Sequence, residues 1–67
     1  MCRSIVTLRK YDQVAGDEEV RAAALQFVRK ISGFRAPSQR NAAAFEAAVD
    51  EISAVSRRLL QQVSRVA

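Results

Sequence analysis

The 67-residue sequence contains no histidine and no tryptophan, and it has a single cysteine and a single proline. Without histidine, the chain has no imidazole to serve as a general base in a Ser-His-Asp or Cys-His site. One cysteine excludes an intrachain disulfide, and a Cys/His zinc site cannot form within one chain either. The composition therefore favours a non-enzymatic protein without a metal or cofactor.

A long apolar run is also absent, which argues against a membrane-spanning helix. The first ten residues lack the continuous apolar core of a signal peptide, so we expect a cytoplasmic protein. A chain this short forms one domain at most and buries only about 60% of the surface that its unfolded form exposes. Because disulfides and metals are excluded as reinforcement, a second subunit is the expected source of extra stability.

The charge balance is moderately basic. Lys and Arg number eleven against seven Asp and Glu, which gives a net charge of +4. Such a balance suits an anionic partner such as nucleic acid, although basic surfaces also keep proteins in solution. Charge alone therefore leaves contact with nucleic acid open.

A first helix is predicted over residues 17–31. Gly16 can act as its N-cap, three acids follow in the first turn, and Asp17 can pair with Arg21 one turn on. Gly33 suits the left-handed conformation that ends many helices. Apolar residues recur at helical spacing and form one stripe: Val20, Ala24, Phe27, Val28 and Ile31.

A second, longer helix is predicted over residues 39–65. Pro37 pushes Ala36 out of the helical region, and Ser38 is a natural N-cap. One side of this helix is apolar, with a stripe of Phe45, Ala48, Val49, Ile52, Val55, Ser56, Leu59, Val63 and Val66. Glu46 and Asp50 lie one turn apart on the opposite side. They form either a carboxylate pair for proton transfer or a hard metal ion, or simply a solvated helix face.

Together these patterns predict an all-α fold, an antiparallel helical hairpin, in a single domain over residues 1–67. Residues 17–67 form the hairpin, and residues 1–16 form an extended or irregular segment packed on the far half of the second helix. The expected core is formed by apolar residues of both helices: Val20, Ala24, Phe27, Val28, Ile31, Phe45, Val49, Ile52, Leu59 and Val63.

The unequal helix lengths suggest a function. About 15 residues span roughly 22 Å and about 27 residues roughly 40 Å, so the second helix projects beyond the first. An apolar interface surface is left on the projecting half, made of Leu59, Leu60, Val63 and Val66. We expect the N-terminal segment to cover part of it and a second protomer the rest. This predicts a small interaction or oligomerisation module that forms a homo-oligomer or docks on a protein partner.

The connection between the helices supports a second hypothesis. Arg40 falls in the first turn of the second helix, where the helix dipole disfavours a cation, and Arg35 lies in the preceding loop. With the Ser38 hydroxyl, the Asn41 amide and backbone N–H groups, these side chains would bind a phosphate ligand or nucleic acid. The alternative is that Arg40 extends into solvent and Asn41 assists the cap.

A third hypothesis concerns Cys2, the one reactive side chain. The neighbouring Arg3 would stabilise its thiolate for redox or acyl-transfer chemistry, which makes Cys2 the only catalytic candidate. The alternative is a small apolar residue that helps the N-terminal segment to pack.

The sequence also resembles a known family over most of its length. The resemblance is carried by Met-Cys-Arg-Ser-Ile at the start, by the run Glu18 to Lys30, by Ser32-Gly33-Phe34 and Pro37-Ser38, and by Asn41, Ala44-Phe45, Ala48-Val49 and Leu59-Leu60. It is similar to short bacterial proteins of a domain-of-unknown-function family, whose members begin Met-Cys-Arg-Asn-Ile. Ser4 stands where the family usually has Asn, and Gly16 where it usually has Thr, a stronger cap. The resemblance implies the helical architecture and a bacterial cytoplasmic setting, and it implies no activity.

Overall fold

A computed structural model describes residues 7–8 and 15–64 of the chain. It contains a helix α1 over Asp17–Ser32, a 3-10 turn over Gln39–Asn41 and a helix α2 over Ala42–Ser64. The helices pack against each other in antiparallel fashion, and the described residues contain no strand. The predicted all-α helical hairpin is therefore confirmed. Neither helix, as described, is both long enough and apolar enough to cross a membrane.

Helix α1 begins and ends at the predicted signals. At its start, a carboxylate oxygen of Glu19 accepts a hydrogen bond of 3.1 Å from the backbone N–H of Gly16. At its end, Gly33 takes the left-handed conformation with φ at 79°, and its N–H donates to the carbonyl oxygen of Arg29 at 2.9 Å. Glycine adopts this conformation without the steric cost that a side chain brings. The helix ends at Ser32, one residue beyond the predicted end.

Helix α2 starts less regularly than predicted. Ser38 has the extended backbone of an N-cap, but its hydroxyl makes no capping hydrogen bond. Instead, the Ser38 carbonyl accepts the backbone N–H of Asn41 at 3.0 Å, a bond over three residues that tightens the first turn into a 3-10 helix. Regular α-helix runs from Ala42 to Ser64, and the predicted end at residue 65 lies outside the described residues.

The core lies in the seam between the two helices. It is formed by buried residues one turn apart on each helix: Val20, Ala24 and Val28 on α1, with Phe45, Val49 and Ser53 on α2. Ser53 is the polar member, and its hydroxyl donates to the Val49 carbonyl at 2.7 Å, so it is buried without an unsatisfied group. Small side chains such as Ala24 and Ser53 let the helix axes approach closely.

Three residues predicted in the core are exposed instead. Phe27 is 50% exposed, Ile31 64% and Leu59 56%. For Phe27 the reason is geometric, because two packed helices bury only a narrow stripe on each, and helical geometry places this ring roughly 60° from Ala24 around α1. The prediction for these three was wrong, while Ile52 and Val63 are half-buried.

The N-terminal segment can be compared with its prediction only at Thr7, Leu8, Ala15 and Gly16, and none of these four lies in a helix or strand. Leu8 is half-buried and lines a depression whose other walls are α1 residues, among them Ala22, Leu25 and Arg29. The depression involves no residue from the far half of α2, where the prediction placed the segment. Residues 1–6 and 9–14, including Cys2 and Ile5, lie outside the described residues.

Candidate functional site

The two carboxylates singled out on α2 are engaged by α1. One guanidinium nitrogen of Arg21, Nη1, lies 2.6 Å from Oδ1 of Asp50, and Nη2 lies 2.8 Å from Oε1 of Glu46. The hydrogen bond with Asp50 is the main cause that raises the pKa of Arg21 above its ordinary value. The sequence had suggested that Arg21 pairs with Asp17 one turn away. In the structure, Arg21 instead pairs across the hairpin with the two carboxylates of α2. Within the described residues, no group of three or more acidic or cysteine side chains is placed to hold a metal ion.

This ion pair identifies which flanks of the two helices lie on the same side of the hairpin. Helical geometry places Arg21 and Phe27 roughly 60° to opposite sides of the buried Ala24. It places Glu46 and Ile52 roughly 60° to opposite sides of the buried Val49 in the same way. Because Arg21 meets Glu46 on one side, Phe27 and Ile52 share the other side.

That other side is apolar. We define the apolar face by five residues: Phe27 and Ile31 of α1, with Ile52, Val55 and Leu59 of α2. Four of them are half exposed or more, and Ile52 is half-buried at the edge of the core. Beside Ile31, a shallow groove of about 230 Å³ is lined by residues of both helices, including Ala44 and Ala48, and by Phe34 of the loop between them.

The predicted interface residues are distributed over two environments. Leu59 lies on the apolar face, whereas Leu60 and Val63 are half-buried on the continuation of the core stripe. Val66 lies outside the described residues. Phe27 and Ile31 were predicted in the core and so were missed as surface residues. For Phe27, an apolar stripe too wide for one partner helix was the signal that could have found it.

The predicted anion-binding residues lie together at the turn end of the hairpin. Ser38 and Asn41 bond to each other, with the Asn41 amide nitrogen donating to the Ser38 hydroxyl oxygen at 3.3 Å. Arg35 and Arg40 are exposed. The backbone carbonyl of Arg35 accepts a hydrogen bond of 2.8 Å from Nε of Arg29, a residue outside the predicted anion site.

We call this end the basic tip and define it by five exposed residues: Arg29, Lys30, Phe34, Arg35 and Arg40. In the sequence, the basic tip is indicated by a stretch without acidic residues, since residues 20–45 contain no Asp or Glu. Among the described residues, the ion pairs of the hairpin are those of Arg21. The cations of the tip therefore have no acidic neighbour along this stretch of the chain.

The fold and these surfaces define a small all-α helical hairpin domain. The chain belongs to DUF2277, a family of uncharacterized conserved proteins, whose family model matches residues 1–67. The family resemblance drawn from the sequence is thereby confirmed, and it brings no established activity with it. No curated protein and no solved structure matches the chain.

Proposed function

We propose that this protein is a non-enzymatic interaction module that forms a homodimer through the apolar face. The observation that carries the proposal is the exposure of large apolar side chains from both helices on one side of the hairpin. Contiguous exposed apolar surface on a soluble domain is typical of an interface. The proposal extends the interface predicted at Leu59 to α1, because Phe27 and Ile31 share that side.

A second copy of the hairpin is the partner that the structure favours. The core consists of single stripes on two helices, and a domain of this size rarely gains more than about 3–5 kcal/mol from one core. The single cysteine excludes an intrachain disulfide as reinforcement. Two hairpins joined by their apolar faces would make a four-helix arrangement with a second apolar layer, which is the usual way that short helices gain stability.

The charges beside the apolar face are compatible with self-pairing. In a two-fold dimer, the same surface occurs on both partners, so a uniformly charged surface would repel its own copy. Helical geometry places Lys30 of α1 and Glu51 of α2 at the outer edges of the apolar face, one cation and one anion. A second hairpin would therefore meet one positive and one negative charge here. These two residues add no net charge to the interface.

Sedimentation equilibrium over a range from nanomolar to high micromolar concentration tests the proposal. We expect a reversible monomer–dimer equilibrium, with greater resistance to unfolding at higher protein concentration, because dimerisation stabilises the folded state by mass action. A monomer at every concentration would overturn it. The cytoplasmic location belongs to this proposal too, whereas thiol chemistry at Cys2 stays a prediction from the sequence.

A further inference from the structure

We propose that the basic tip binds single-stranded nucleic acid, with its arginine and lysine side chains on the phosphate backbone and Phe34 stacked on a base. The tip lies at the turn end of the hairpin and the apolar face along its side, and the two surfaces meet at Lys30, which borders both. The proposal gives a class of ligand, single-stranded nucleic acid, to the anion site predicted at Arg35 and Arg40. It also adds two further cations to that site, Arg29 and Lys30.

The first support is the isolation of the positive charge. Arg21, the remaining cation of residues 20–45, is paired with Glu46 and Asp50. The acids of α1 all lie in its first turn, at Asp17 to Glu19, which is roughly 20 Å from the turn end of a 16-residue helix. Four cations thus share one end of the hairpin, and a polyanion is the ligand that neutralises such a cluster with release of its counterions.

The second support is how the loop is held. The hydrogen bond from Nε of Arg29 to the Arg35 carbonyl ties the loop to the last turn of α1, and it leaves both terminal nitrogens of this guanidinium unused by that bond. The Phe34 backbone N–H donates to the Ser32 hydroxyl at 3.1 Å. These bonds order the segment that carries Phe34 and Arg35, so binding loses less conformational freedom than a mobile loop would.

The third support is the exposed aromatic ring. Phe34 is 39% exposed in the loop, and with Arg29 and Arg35 it lines one depression of about 350 Å³. A ring beside guanidinium groups is the arrangement by which proteins stack the bases of single strands while the cations follow the backbone. Bases inside a duplex are already stacked on each other, so the Phe34 ring favours single strands over duplex.

Fluorescence anisotropy with a labelled oligouridine of about 12 nucleotides, a length within the usual site size, tests the proposal over a salt series. With four cations on phosphates, the slope of log affinity against log salt should be about −2.8. The double variant Arg35→Gln/Arg40→Gln should lower that slope in magnitude by about 1.4, and Phe34→Ala should weaken binding about fivefold or more.

The matched control is the double variant Arg57→Gln/Arg58→Gln, which removes the same charge from α2 roughly 25 Å along the helix from Arg40. It should leave the slope and the affinity close to wild type. Equal losses from both double variants would overturn the proposal, because net charge would then explain the binding. So would duplex binding as tight as single-strand binding, or binding to phosphatidylserine vesicles with none to oligouridine, which would indicate a membrane surface instead.

Discussion

Replacing Val55 by Asp is the most direct perturbation of the proposed dimer. Val55 lies in the middle of α2 and is 53% exposed in the single hairpin, so the core does not depend on it. In a dimer through the apolar face, its exposed half would be buried against the partner. A carboxylate at this position would lose its hydration when the partner covers it, whereas in the folded monomer it stays in water.

The magnitude follows from the exposed fraction. Full burial of a valine side chain stabilises by about 1.5–3 kcal/mol, so burying the exposed half contributes about 0.8–1.5 kcal/mol per protomer. The two-fold symmetry doubles the loss to about 1.5–3 kcal/mol, before any desolvation of the two carboxylates. From the lost apolar burial alone, the dimer dissociation constant should therefore rise by about tenfold to roughly 150-fold.

Ala54→Asp provides the matched control, because it introduces the same charge into the same helix one residue away, on the exposed side turned from the apolar face. Sedimentation equilibrium should give a weaker dimer for Val55→Asp and a nearly unchanged one for Ala54→Asp. Circular dichroism at high concentration checks that both variants keep the helical hairpin. Equal dissociation constants for the two variants would refute the assignment of the apolar face.

Three further predictions concern the hairpin itself. Val49→Ala should lower the free energy of unfolding by about 2 kcal/mol in urea titrations, because Val49 is 1% exposed and two buried methyl groups are lost; a loss below about 0.5 kcal/mol would contradict its place in the core. Gly33→Ala should cost about 1 kcal/mol and Gly33→Asn less, since the position needs a left-handed backbone but offers open space for a Cβ. Arg21→Gln should lower the melting temperature at low salt more than at about 1 M salt, where the exposed ion pair is screened, whereas Arg40→Gln should show no such difference.

Local sequence signals predicted the helices well because their causes are local. The acids of the first turn, the glycine at the end of α1 and the proline before α2 each act within a few residues, and the range of α1 and the start of the second helical segment followed from them. The tight start of α2 could not be predicted, because it depends on whether Ser38 bonds to backbone or to the Asn41 side chain. Both choices suit the sequence equally.

The location of the apolar surface could be predicted only in part, because it depends on how far each helix is rotated about its axis. The helical periodicity of the apolar residues predicted which side of each helix is apolar. It did not predict how far each helix is rotated about its axis where the two apolar sides meet. The difference in helix length indicated an uncovered surface that includes Leu59, although the predicted core also contained this residue. Phe27 was placed in the core, since nothing local to α1 indicates that Arg21 reaches two carboxylates on α2.

The rotation of α1 also explains why Phe27 faces away from the core. Turning α1 by roughly 60° to bury this ring would carry Arg21 beyond reach of Glu46 and Asp50 and move Val28 towards solvent. A phenylalanine in place of Ala24 at the seam would also push the helix axes apart, because interaxial distance follows side-chain size. The close seam and the ion pair therefore require an exposed apolar flank. A single hairpin leaves that flank in water, whereas a second copy would bury it without disturbing either feature.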